Sequence, residues 1–127
     1  MSTTTTLAGG CLCGALRYNL AFPKASPPDC MHCYCGVCKK STGAYFETYV
    51  PTTHAQLHWT TNRRSQLRIP PPGSPSITLI VGSLDDVDAV KVGSHLFYEN
   101  IARVAKEVDR DLPKYHGEFE FIQEPKA

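Results

Sequence analysis

The sequence has no charge imbalance, no long apolar run and no cysteine after Cys38, and each absence narrows what the chain can be. With 13 Lys and Arg against 12 Asp and Glu, the formal net charge is +1. That leaves no basic footprint of the size that neutralises nucleic-acid phosphates or anionic lipid, so neither nucleic acid nor membrane is expected as a partner. No stretch approaches the roughly 20 apolar residues that a membrane-spanning helix needs. Residues 1–8 belong to a threonine-rich start with neither a positive n-region nor an apolar h-region. They are expected to form a flexible leader, not a secretory signal. No internal repeat suggests a solenoid. What is present is an ordinary globular composition, 42% hydrophobic and 20% charged over 127 residues. It fits one domain, expected over 9–119 with a tail at 120–127. Its oligomeric state is not legible. A cytoplasmic, reducing setting is expected, where cysteines serve metals or catalysis more often than disulfides.

All six cysteines fall between Cys11 and Cys38. They read Cys11-Leu-Cys13-Gly, then Cys30-Met-His-Cys33-Tyr-Cys35-Gly-Val-Cys38, so the second group holds two overlapping Cys-x-x-Cys steps around a Cys-x-Cys. Such spacing suits metal chelation, because thiolates two or three positions apart in a tight turn can converge on one cation that offsets their mutual repulsion. Zinc fits best, since it takes thiolates in a tetrahedron without redox chemistry, whereas calcium and magnesium demand oxygen. An iron–sulfur cluster, which usually takes four cysteines in other spacings, and a disulfide set remain open alternatives. A bridge across a Cys-x-Cys step would be strained.

The rest reads mainly as strands. Leu16, Tyr18, Leu20 and Phe22 alternate with Ala15, Arg17, Asn19 and Ala21, the period of a half-buried strand. A Pro/Ser loop over 23–28 leads to the cysteine group, where Gly36 and Lys39 to Gly43 suggest a turn and knuckle. Ala44 to Val50, Gln56 to Thr60, Ser65 to Ile69, Ile77 to Val81 and Val92 to Tyr98 read as further strands, with the proline loop from Pro70 to Pro75 between them. Ile77 to Val81 is continuous enough to be fully buried. Only Glu99 to Val108 has helical spacing, placing Ile101, Val104, Ala105 and Val108 on one side.

Gly9 to Tyr18, Cys33 to Gly43 and Val81-Gly-Ser-Leu-Asp-Asp86, with His95-Leu-Phe and Asp111-Leu-Pro-Lys-Tyr115, together resemble the glutathione-dependent formaldehyde-activating enzyme family, which includes centromere protein V. The resemblance implies a mainly β, single small zinc-binding domain of stacked antiparallel hairpins. It implies a carbon–sulfur lyase acting on glutathione and an aldehyde, forming or cleaving S-hydroxymethylglutathione. It places an active-site zinc on Cys33, Cys35 and Cys38 with its fourth position open, and half of a structural zinc site on Cys11 and Cys13.

The family's other half-site, a Cys-x-x-Cys on a hairpin, is missing. It should lie between Trp59 and Ile77, where Thr60 to Ser76 holds no cysteine, so the chain reads as truncated near 60–76. Cys30 is a candidate to join Cys11 and Cys13, with water or His32 as the fourth ligand; otherwise it is a buried or spare thiol. If a fourth residue closes the shell on Cys33, Cys35 and Cys38, the alternative is a non-catalytic zinc-stabilised binding module.

Other side chains carry plainer readings. Lys39 and Lys40 could attract glutathione carboxylates, but adjacent lysines after a turn are more often a solvated face. Trp59, Tyr45 and Phe46 are expected in the core. His54, His58, His95 and His116 are assigned no catalytic role, and Asp85 and Asp86 are expected to serve the turn after Gly82.

Overall fold

Thr4–Gly10 (β1) and Arg17–Pro23 (β2) pair antiparallel, from Thr4 against Pro23 to Gly10 against Arg17, in the computed structural model, which describes residues 3–61, 77–117 and 120–121. Tyr18, Leu20 and Phe22 are buried and their neighbours are not, as the alternation requires. The leader expected over 1–8 gives way to β1 from Thr4 onward. Three successive β-branched threonines suit an extended edge strand, and β2 supplies the ladder partners that a free leader would lack.

Leu57–Trp59 (β5) lies on the other side of β2. Trp59 stands opposite Tyr18, and the two rings meet edge-on with centroids 5.7 Å apart. Ile77–Ile80 (β6) alternates, with Ile77 and Leu79 buried and Thr78 and Ile80 exposed. It is therefore half-buried, not the fully buried run expected, and Val81–Ser83 turns into a 3-10 helix. These strands belong to the first of two units, Met1–Pro28 with Val50–Lys91. Its core is built from Tyr18, Leu20, Phe22, Val50, Leu57, Ile77, Leu79 and Leu84. Of the two turn aspartates, Asp86 caps the 3-10 helix Val87–Ala89 by accepting from the Asp88 N–H at 3.0 Å. Asp85 instead forms a two-pronged ion pair with the Arg17 guanidinium.

The second unit is Asp29–Tyr49 with Val92–Ala127. Asp29–Cys33 (β3) buries every residue from Cys30 to Cys33. It runs as a middle strand between Glu47–Thr52 (β4) and Lys91–Leu96 (β7). β3 and β4 are antiparallel, with Met31 opposite Tyr49, His32 opposite Thr48 and Cys33 opposite Glu47. The knuckle expected after Cys35 is a short α-helix, Gly36–Thr42 (α1), closed by Gly43 in the left-handed region at φ 68°, where its N–H reaches the Lys39 carbonyl. β4 starts at Glu47, later than expected, and this leaves Tyr45 59% exposed instead of in the core.

The helix expected over Glu99 to Val108 is replaced by two 3-10 turns, Tyr98–Asn100 and Arg103–Ala105. Neither has a side-chain cap, the first is entered through Phe97 in the left-handed region, and its supposed apolar stripe is split: Ala105 is buried while Val104 is 63% exposed. Tyr115–His116 (β8) and Glu120–Phe121 (β9) pair antiparallel, so the expected tail begins as a strand. The strand and proline loop expected at 65–75, and the tail from 122, lie outside the described residues. No helix among those described is long and apolar enough to cross a membrane. The fold class is mainly β with antiparallel sheets, as the sequence implied.

Candidate metal centre

Cys33 ends β3, Cys35 is the N-cap of α1 and Cys38 lies within the first turn of that helix. The backbone at Cys35 is extended, with φ −63° and ψ 159°, so successive side chains alternate and Cys33 and Cys35 point to the side opposite Tyr34. Helix α1 then returns Cys38 toward them, its N–H donating to the Cys35 Sγ at 3.4 Å. All three sulfurs lie within 4.8 Å of one another. Among the described residues this is the one group of three or more Cys, His, Asp or Glu side chains that could hold a metal ion.

The donor set fits a thiophilic metal. Sulfurs sharing one tetrahedral zinc at about 2.3 Å stand about 3.8 Å apart, which is compatible with the 4.8 Å limit within which these three lie. Cys33 is buried, whereas Cys35 and Cys38 are half-buried, so the cluster is accessible on the side of α1. Burial pushes the Cys33 thiol up. It does the same to Cys38, to which the Glu47 carboxyl adds. Cys35 is held below the ordinary thiol value although burial opposes this, because the Cys38 N–H and the side chains of Cys38 and Cys33 donate to it.

Behind the cluster stands a polar network that the sequence reading missed. The Tyr34 hydroxyl lies 2.6 Å from Nδ1 of His95, and Nε2 of His95 lies 2.7 Å from the Asp109 carbonyl oxygen. Tyr34 and His95 are fully buried. His32 is held the same way, with Nδ1 2.7 Å from the Thr48 hydroxyl and Nε2 2.6 Å from the Asp109 carboxylate. Both His32 nitrogens are thereby engaged. The signal that could have exposed this network was the place of Tyr34 between two cysteines. An aromatic alternating with ligands must point into the protein, and a buried tyrosine hydroxyl needs a partner.

Cys11 and Cys13 sit in the first unit, on a reverse turn where the Gly14 N–H donates to the Cys11 carbonyl at 3.0 Å. Gly14 takes φ 78°, which a side chain would strain. Their sulfurs are 3.4 Å apart, and the Leu16 N–H donates to the Cys11 Sγ at 3.2 Å. That backbone donor, followed by Cys13, lowers the Cys11 thiol. Cys30 lies fully buried in β3, in the second unit, and burial pushes its thiol up to about 11.

Of the remaining candidates, Lys39 donates from Nζ to the Asn100 carbonyl at 2.9 Å and Lys40 is exposed. His54 and His58 are exposed, and His116 pairs with Glu99. Trp59 and Phe46 are half-buried, Phe46 packing edge-on against His32 at 4.6 Å.

A family model described as glutathione-dependent formaldehyde-activating enzyme matches residues 6–70, more than half of the chain and all six cysteines. No curated protein matches it.

Proposed function

Because the chain belongs to the glutathione-dependent formaldehyde-activating enzyme family, we propose that it is a zinc-dependent carbon–sulfur lyase that forms or cleaves S-hydroxymethylglutathione. The observation that carries this reading is the convergence of Cys33, Cys35 and Cys38 with no fourth Cys, His, Asp or Glu in the group among the described residues. Three protein ligands and one free position are the arrangement of a catalytic zinc site. Zinc bound there supplies a positive centre that favours a substrate thiol in its thiolate form.

The chain's own residues hold and shape that position. Cys33 anchors it from the buried middle strand, while Cys35 and Cys38 present half-buried sulfurs toward an approaching tripeptide. In the forming direction the glutathione thiol gives up its proton, its sulfur bonds the aldehyde carbon, and the carbonyl oxygen gains a proton to give the hydroxymethyl thioether. Cleavage reverses each change. Bringing thiol and aldehyde together supplies much of the gain. The six free cysteines suit a reducing, cytoplasmic setting.

One observation favours a second reading, a zinc-stabilised binding module without turnover: Glu47 stands opposite Cys33 in the β3–β4 pair and its carboxyl raises the Cys38 thiol, which makes it the candidate to close the shell. The test is exchange of formaldehyde with S-hydroxymethylglutathione, followed by NMR magnetisation transfer, on zinc-loaded protein and on Cys38→Ser. Faster exchange that the substitution abolishes supports the lyase. Exchange at the uncatalysed rate by fully zinc-loaded protein overturns it.

A further inference from the structure

Asp109 holds two buried imidazoles at once. Its carboxylate lies 2.6 Å from Nε2 of His32, and its carbonyl oxygen lies 2.7 Å from Nε2 of His95. Both oxygens only accept, so each Nε2 carries the hydrogen, and each Nδ1 faces a hydroxyl: Thr48 at 2.7 Å for His32, Tyr34 at 2.6 Å for His95. The two imidazole rings, 5.4 Å apart, and the Tyr34 ring stacked 5.5 Å from His95 form one buried assembly. Asp109 takes φ 48°, a left-handed conformation that few side chains accept and that Asp tolerates better than most. All of these residues belong to the second unit, as do Cys33, Cys35 and Cys38.

The assembly bears on the thiols through the strand that carries them. Side chains alternate along an extended chain, so His32 and Tyr34 share one face of β3 and its continuation while Cys33 and Cys35 share the other. The two side chains that flank Cys33 are thus tied, His32 directly and Tyr34 through His95, to the same residue 77 positions beyond His32. Asp109 itself is exposed, so shortening it opens no cavity, and what is lost is the orientation of the rings. We propose that Asp109 is a positioning residue for Cys33 and Cys35, holding both sulfurs ready for a thiophilic cation by fixing the two imidazoles behind them. This rests on the reading of Cys33, Cys35 and Cys38 as a metal centre and not on turnover of S-hydroxymethylglutathione.

Cobalt(II) titration of the metal-free full chain tests this, because thiolate charge-transfer absorption reports both affinity and geometry. Cys38→Ser identifies the absorption that belongs to this centre. Asp109→Gly keeps the carbonyl and suits the left-handed backbone while removing the carboxylate, and it is expected to weaken cobalt binding about 10- to 100-fold and to shift the absorption. Asp109→Asn keeps a side-chain oxygen that accepts from His32 and is expected to restore both readings. A role in stability alone would lower the melting temperature of the metal-free protein and leave both readings unmoved. Thr48→Val, which frees the other nitrogen of His32 without touching Asp109, is expected to weaken binding in the same direction and carries the test where Asp109→Gly does not fold. Wild-type affinity and absorption in folded Asp109→Gly overturn the proposal, as does an Asn variant as weak as the Gly variant. A wild type that takes up no cobalt at these thiols refutes the metal centre and the proposal with it, whereas tight binding indifferent to Asp109 refutes the positioning alone.

Discussion

Tyr34 donates its hydroxyl proton to Nδ1 of His95 across 2.6 Å, and both side chains are fully buried. The direction follows from the other end of the ring, where Nε2 faces the Asp109 carbonyl, which can only accept, at 2.7 Å. Nε2 therefore carries the proton, and Nδ1 needs a donor. Tyr34→Phe removes that donor and strands a buried acceptor, which is expected to cost about 1–3 kcal/mol. Chemical denaturation checks it. A variant as stable as the wild type would mean that the hydrogen bond is not formed in solution.

The same ring sets a pH dependence. Burial, outweighing the Asp109 carbonyl, holds the His95 pKa below its ordinary value near 6.5. Above that value the ring is neutral whether the chain is folded or unfolded, so His95 contributes no slope. As pH falls through about 6.5 the unfolded chain takes up a proton that the folded chain does not, and stability declines until the lower folded pKa is passed. Unfolding free energy measured from pH 7.5 to 5 is expected to fall in that window, and His95→Gln is expected to flatten the slope. An equal slope in the variant would move the effect to another group.

The alternation of Tyr18, Leu20 and Phe22 was legible because a local period of two has one physical reading, whereas the cysteine spacing pointed to chelation and left a disulfide set and an iron–sulfur cluster open. β1 was not legible, because threonine is as common in leaders as in edge strands, and only pairing with β2 decides between them. The supposed helix at 99–108 failed on its caps: periodicity without an N-cap gave two 3-10 turns. The cluster at Cys33, Cys35 and Cys38 was readable from spacing, while its support was legible only at Tyr34, an aromatic alternating with ligands; that its partner is His95, 61 positions away, leaves no trace in the sequence.

Gly9 explains why β1 can lie where it does. A Cβ placed there would meet the Ser83 carbonyl at 2.6 Å and the Tyr18 ring across the strand pair. Backbone cannot give way cheaply, so Gly9→Ala is expected to destabilise the first unit by about 1–3 kcal/mol through overpacking. A thermal melt checks this, with Gly82→Ala as the control, since nothing lies within 4 Å of a Cβ there. Equal melting temperatures for the two variants would contradict the close approach.

Metal removal separates the cysteines by role. A ligand that binds only the folded chain stabilises it by mass action, about 2.7 kcal/mol when free metal is 100 times its dissociation constant. Zinc is therefore expected to raise the melting temperature of the wild type and a chelator to reverse the rise. Cys38→Ser removes one of three converging sulfurs and is expected to abolish most of that response. Cys30→Ala behaves differently, because its thiol is fully buried in β3 and lies outside the converging group. It is expected to lower the melting temperature with and without zinc by the same amount, through the cavity it leaves, and to keep the metal content unchanged. A loss of bound zinc on that substitution would instead make Cys30 a ligand.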